Sequence, residues 1–179
     1  LTLADFPDGT GHTLTISADD FLAMRIARGA MDADTLAAVT EAAGRYAALR
    51  AAIRMLGAGQ CSRRRLYEKL RARRITDADA TFAVDTVYAK GYIDEDWQLR
   101  SYIRTLTAQK QYGPRKLYAA LAAKGYRGDD IRRAMDENFG AEEIRAARRV
   151  FLEKKFGKTA PETRDEAAAM RQALYKQGF

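Results

Sequence analysis

Tyr112-Gly113-Pro114-Arg115-Lys116-Leu117-Tyr118-Ala119-Ala120-Leu121-Ala122-Ala123-Lys124-Gly125-Tyr126 is a short helix written with its punctuation. Gly113 stands where a cap belongs, and Pro114 takes the first helical position, where a missing N–H costs nothing. Leu117, Tyr118 and Leu121 share one apolar stripe. Gly125 supplies the left-handed residue that stops the helix, and Tyr126 is placed to fold back onto the stripe.

The pattern occurs twice more, from Ser62 to Ile75 and from Ala169 to Phe179. Leu66, Leu117 and Met170 correspond, as do Leu70, Leu121 and Leu174, and Ile75, Tyr126 and Phe179; the offsets are 51 and 53. A period of this length predicts a helical repeat. The helix before each copy matches as well: Leu49 to Leu56 aligns with Leu99 to Leu106 at an offset of 50.

Working outward gives an all-α chain with a short β-hairpin-like start. Leu1, Leu3, Leu14 and Ile16 alternate with polar residues around a loop holding Asp5, Pro7, Asp8, Gly9 and Gly11, which reads as a hairpin. Ser17 caps a helix with Phe21, Met24 or Leu22 inward, and Asp32 or Asp34 caps another that runs to about Ala43. Residues 1–44 form this acidic N-terminal segment. Residues 45–92 read as a first three-helix module. Its first helix carries Tyr46, Leu49, Ile53 and Leu56, its second follows Ser62, and its third carries Ala80, Ala83, Val84, Val87 and Tyr88 after Thr76 or Asp77. Residues 93–140 read as a second module: Asp94 caps a helix with Trp97, Leu99, Tyr102, Ile103 and Leu106, the Gly113–Gly125 helix follows, and Asp129 or Asp130 opens the third. Residues 141–179 read as a partial third module, with Ile144, Ala147 and Phe151 inward and no third helix before Phe179. An elongated, curved array of tandem three-helix repeats is the expected architecture.

Composition narrows the function. The net charge of the 179-residue chain is +7, but residues 1–44 carry −5 and the remainder +12. A basic body points to a polyanionic or acidic partner. Cys61 is the only cysteine, which excludes an internal disulfide and fits a reducing cytoplasm. No charge-free run is long enough to span a bilayer, no signal peptide is read, and both ends read as trimmed. His12 is the only histidine, so neither a metal site nor a Ser/His/Asp or Cys/His set is expected. Gly57-Ala58-Gly59 lacks the context of a phosphate loop, and Asp94-Glu95-Asp96 reads as a helix start rather than a metal site. The expectation is therefore a protein with no enzymatic activity and no cofactor.

Positive charge is what collects. Arg63, Arg64, Arg65, Lys69 and Arg73 surround the first copy of the helix, where three cations in the first turn oppose the helix dipole. Local stability does not ask for them, so they are candidates for contact with an external anion. Arg104, Lys110, Arg115 and Lys116 form a second group, and Arg148 and Arg149 lead a third. Cations along a curved surface would give salt-sensitive, sequence-independent nucleic-acid binding. Tyr67, Tyr118 and Tyr175 hold matched positions and read first as core, second as stacking platforms for bases.

Residues 45–179 resemble the RecX family, bacterial regulators of the RecA recombinase. The resemblance rests on Lys90-Gly91-Tyr92-Ile93-Asp94-Glu95-Asp96, on Tyr112 through Leu121, and on Lys124-Gly125-Tyr126; the Ser62 to Leu70 helix is also similar. It implies a monomeric, cytoplasmic, non-enzymatic regulator of recombination and DNA repair, tied to the SOS response. The implied partners are the RecA recombinase filament and single- or double-stranded DNA, and the implied effect is restraint of strand exchange and of the RecA ATPase. Arg63-Arg64-Arg65 departs from the family, which often has an acidic residue there, and shifts the expectation toward DNA contact. The residues alone leave two alternatives open: a helix-turn-helix DNA-binding regulator, and a helical scaffold for an acidic protein.

Overall fold

Twenty-six residues, Ala33–Ala58, form one helix where two were expected. The computed structural model describes residues 2–3, 12–27, 29–158 and 160–179. Thr2–Leu3 (β1) pairs antiparallel with His12–Thr13 (β2); the loop residues expected between them lie outside the described residues. The helices are α1 (Ala18–Ala23), α2 (Ala33–Ala58), α3 (Arg63–Ala72), α4 (Asp77–Ala89), α5 (Glu95–Lys110), α6 (Pro114–Ala123), α7 (Gly128–Asn138), α8 (Ala141–Phe156) and α9 (Arg164–Gln177). Two compact units are formed, Leu1–Ile93 and Asp94–Phe179.

Side-chain caps set most helix starts. Ser17, Asp32, Ser62, Thr76 and Asp94 each accept from a backbone N–H in the first turn, which satisfies a donor that has no partner within the helix. α7 differs: Arg127 holds the cap position and Asp129 and Asp130 lie inside the first turn, where their charge suits the dipole. α1 buries none of its residues, and the Phe21 and Leu22 expected inward are exposed.

In the first unit α2 packs most extensively against α4. The expected stop near Ala43 is absent because Gly44 is used for approach. A Cβ there would lie 2.8 Å from Oδ2 of Asp79. Beyond Gly44 the contact is made of small side chains: Ala48, Ala51 and Ala52 with Met55 from α2, and Ala80, Ala83, Val84 and Val87 from α4. The face predicted from Tyr46, Leu49, Ile53 and Leu56 is one step off. Leu49 and Leu56 only border the core, and Ile53 is exposed. Alanines bring the two helix axes close, and larger residues are displaced to the rim. Tyr88, expected inside, is also exposed. Leu66 and Leu70 of α3, both fully buried, close this core with Ile93. Cys61 sits in it too; burial pushes its thiol pKa up, against the pull of Lys69 and Arg65.

The second unit centres on α5, α6 and α7. Leu99 and Ile103, Leu117 and Leu121, and Ile131 are essentially fully buried. Each such side chain contributes about 1.5–3 kcal/mol by leaving water. Tyr126 folds back as expected, and its hydroxyl donates to Oε1 of buried Gln98 at 2.6 Å. Trp97, expected inward, is half exposed. Ala147 of α8 and Phe179 join this core.

Candidate nucleic-acid and protein interface

The cations of α3 flank a helix start whose cap residue, Ser62, is itself buried beside Cys61. Ser62 caps it, its hydroxyl accepting from Arg65 N–H at 3.2 Å. The Arg63 guanidinium lies 4.1 Å from the ring centre of Tyr88 on α4, half of whose surface is open. Arg64 and Arg65 donate to Glu68 at 3.1 and 3.0 Å. These bonds, that from Arg65 first, hold the Glu68 carboxyl below its ordinary pKa. The three arginines thus have more local support than their position suggested. The pairs nevertheless run with the cation nearer the N-terminus, the order the helix dipole disfavours. Lys69 further along the helix and Arg73 at its C-cap are exposed. Tyr67 is half-buried and donates its hydroxyl to Asp77.

α6 presents the same kind of start and a different outcome. Gly113 has no side chain to cap with. Its N–H donates to the Gln177 carbonyl at 2.9 Å, and Arg115 N–H donates to the Gly178 carbonyl at 3.1 Å. The C-terminal end of α9 therefore caps the N-terminal end of α6, carbonyls against N–H groups, negative dipole end against positive. The Arg115 guanidinium adds bonds to the carbonyls of Tyr175 and Phe179 at 3.2 and 3.1 Å and stacks 4.2 Å from the Tyr175 ring centre. Lys116 donates to Oε1 of Gln177 at 3.1 Å, and the Gln177 amide donates to the carbonyls of Lys110 and Gln111. Arg115 and Lys116, expected to face a partner, are engaged inside the chain. Tyr175, expected in the core, is exposed under Arg115. Lys110 lies beside the Tyr112 ring and Arg104 is exposed on α5.

The third group forms a groove. Arg148 and Arg149 line a cleft of about 420 Å³ together with Arg145 and Lys158. Leu152 and Met170 provide apolar surface there, and Glu153 is the acid among the lining residues. A second cleft, in the first unit, brings Arg50 and Arg54 of α2 beside Thr13, Thr15 and Thr40. Neither arginine was singled out from the sequence, because each sits in ordinary helical periodicity and only the return of the chain over α2 makes a concavity. Among the described residues no three His, Cys, Asp or Glu side chains are gathered to hold a metal ion, and no helix is long and apolar enough to cross a membrane.

No family model matches the chain. Regulatory protein RecX of Thermus thermophilus is 34% identical over 102 residues, which cover 57% of this chain and 70% of that protein. The chain belongs to the RecX family. Regulatory protein RecX of Geobacillus thermodenitrificans is 26% identical over 167 residues, 93% of this chain but 62% of the relative, so the chain spans about three fifths of that protein's length. A crystal structure of a regulatory protein RecX superposes with a TM-score of 0.78 at 19% identity, over 96% of this chain and 85% of the other. RecX from Lactobacillus salivarius gives 0.67 at 18% identity, over 76% and 88%. At these identities the structural likeness speaks for the RecX fold. The segments that carried the resemblance are structural in this fold: Gly91 turns the chain at φ 74°, Ile93 enters the first core, Asp94 caps α5, and Gly113 receives α9.

Proposed function

We propose that this chain is a non-enzymatic regulator of homologous recombination and DNA repair that binds the RecA–DNA filament and restrains RecA ATP hydrolysis and strand exchange. Membership of the RecX family carries this reading. The α3 cations favour a direct contact with the DNA of the filament. Arg64 and Arg65 are exposed, they share one acid, and they surround a helix start whose dipole attracts anions. Contacts of this kind track phosphates without reading bases, so binding is sequence-independent and salt-sensitive on single- or double-stranded DNA. The protein acts as a monomer in the cytoplasm and needs no cofactor.

The test is a RecA ATPase assay on single-stranded DNA, run with and without the protein. Slowed ATP hydrolysis and slowed strand exchange at stoichiometric amounts are expected. Unchanged rates for both would overturn the proposal. A marked preference for one duplex sequence would instead favour a helix-turn-helix reader.

A further inference from the structure

The groove between α8 and α9 has a mixed chemistry that a nucleic-acid backbone would not use. Arg145, Arg148, Arg149 and Lys158 are all exposed at its lining, and Glu153 is the acid among them. Arg145 is paired with Glu142 on its own helix. Among the described residues Arg148, Arg149 and Lys158 form no ion pair, so three cations share the groove with the single acid Glu153. Between them Leu152 and Met170 are half-buried, and Pro161 adds a rigid apolar edge.

Three properties decide the occupant. The charge calls for an anion. The apolar floor calls for a ligand that also brings apolar surface, and a methionine side chain adapts to varied shapes. No aromatic ring stands among the cations of the groove; Phe156 lines the adjoining cleft beyond Pro161 and Met170, away from Arg148 and Arg149, so a base would find no platform beside them. A phosphodiester backbone would satisfy the cations and leave the floor wet. The cleft is also larger than one phosphate requires and within the range of sites that enclose a few side chains.

We propose that this groove is a docking site for an acidic protein segment, one whose Asp or Glu side chains meet Arg148, Arg149 and Lys158 while an apolar residue seats on Leu152 and Met170. The proposal stands apart from the DNA contact assigned to α3 and needs no outcome of the RecA assay.

The experiment uses the full chain and fluorescence anisotropy with two short labelled peptides of Asp and Glu, one carrying a central Leu and the other Ser in its place. The Leu peptide is expected to bind about tenfold more tightly, the difference coming from the buried apolar side chain. Arg148→Glu with Arg149→Glu weakens both peptides by about tenfold or more. Met170→Gln removes the preference for Leu while retaining binding of the Ser peptide. Lys158→Glu, at an exposed position, repeats the charge test without touching the core. Helix content by circular dichroism is expected to match the parent for each variant. Arg63→Glu with Arg65→Glu leaves peptide binding unchanged, which separates this site from α3. Absence of saturable binding, equal affinity for the Leu and Ser peptides, or a Leu preference that survives Met170→Gln overturns the proposal. So does full displacement of the peptide by oligothymidylate that itself depends on Met170.

Discussion

The first turns of α3 and α6 both carry clustered cations, and the chain uses them in opposite ways. α3 is capped by its own Ser62, and its arginines turn to Glu68, to Tyr88 and to solvent. α6 starts at Gly113, which has no capping side chain. In its place the end of α9 presses backbone against backbone: a Cβ on Gly113 would lie 2.4 Å from the Gly178 carbonyl carbon, and a Cβ on Gly178 would lie 2.5 Å from Lys116 N. Serine at position 113 would keep the cap and exclude the neighbour. Glycine gives up the cap and admits a whole helix end that replaces it. A side-chain cap thus leaves the arginines of α3 at the surface, whereas a glycine start makes α6 part of an internal joint.

Breaking the joint is the largest effect expected. Gly113→Val should cost about 3 kcal/mol or more, because the added carbons meet backbone that has no free side chain to move aside. The matching change on α3, Ser62→Ala, removes one cap and should cost about 1 kcal/mol. Chemical denaturation of both variants checks the contrast; equal losses would mean that α9 does not cap α6.

The charges themselves sharpen the comparison next. Arg63→Glu with Arg65→Glu should weaken DNA or filament binding about tenfold at low salt and flatten the salt dependence by about two charges. The melting temperature should move little, since acids suit a helix start while Glu68 loses Arg65 and keeps Arg64. Salt titrations of binding, read beside thermal melts, test this, and unchanged affinity in a folded protein would leave the cluster as a solvated face. Arg115→Ala should behave the other way round, losing about 1 kcal/mol of stability with its bonds to the Tyr175 and Phe179 carbonyls and changing DNA affinity less.

The smallest effect lies at the helix stops. α6 and α9 end on Gly125 and Gly178 with φ of 89° and 95°, whereas α3 ends on Arg74 with φ 62°. The left-handed conformation is costly for a residue with a Cβ. Arg74→Gly should therefore stabilise the first unit by about 0.5–1 kcal/mol, after the greater freedom of glycine in the unfolded chain is discounted. A lower midpoint of denaturation would count against this account of the stop.

Much of this was legible in the residues. Leu66, Leu70, Leu117 and Leu121 are fully buried, and Ser62 and Asp94 cap, because apolar spacing and a first-turn hydroxyl or carboxylate act within a few residues of themselves. The failures share a cause. Ile53 and Tyr88, expected inward from hydrophobicity, lie outward, because small residues set how closely α2 and α4 approach and large ones yield; Trp97, in the first turn of α5, is half exposed as well. The helix expected to stop near Ala43 runs on through Gly44, since that glycine's role as a point of close contact depends on Asp79 from another helix.

The candidate sites divide along the same line. The sequence by itself determined an all-helical chain, most of its caps and stops, and where positive charge accumulates, because propensity, capping and charge are local properties. Only the tertiary structure decided which of those charges remain open. Arg64 and Arg65 stay on a surface, Arg115 and Lys116 are spent on the end of α9, and Arg148 and Arg149 line a groove that Met170 helps to floor. Those outcomes depend on which backbone arrives opposite each cation, and that is fixed by contacts tens of residues away in the chain.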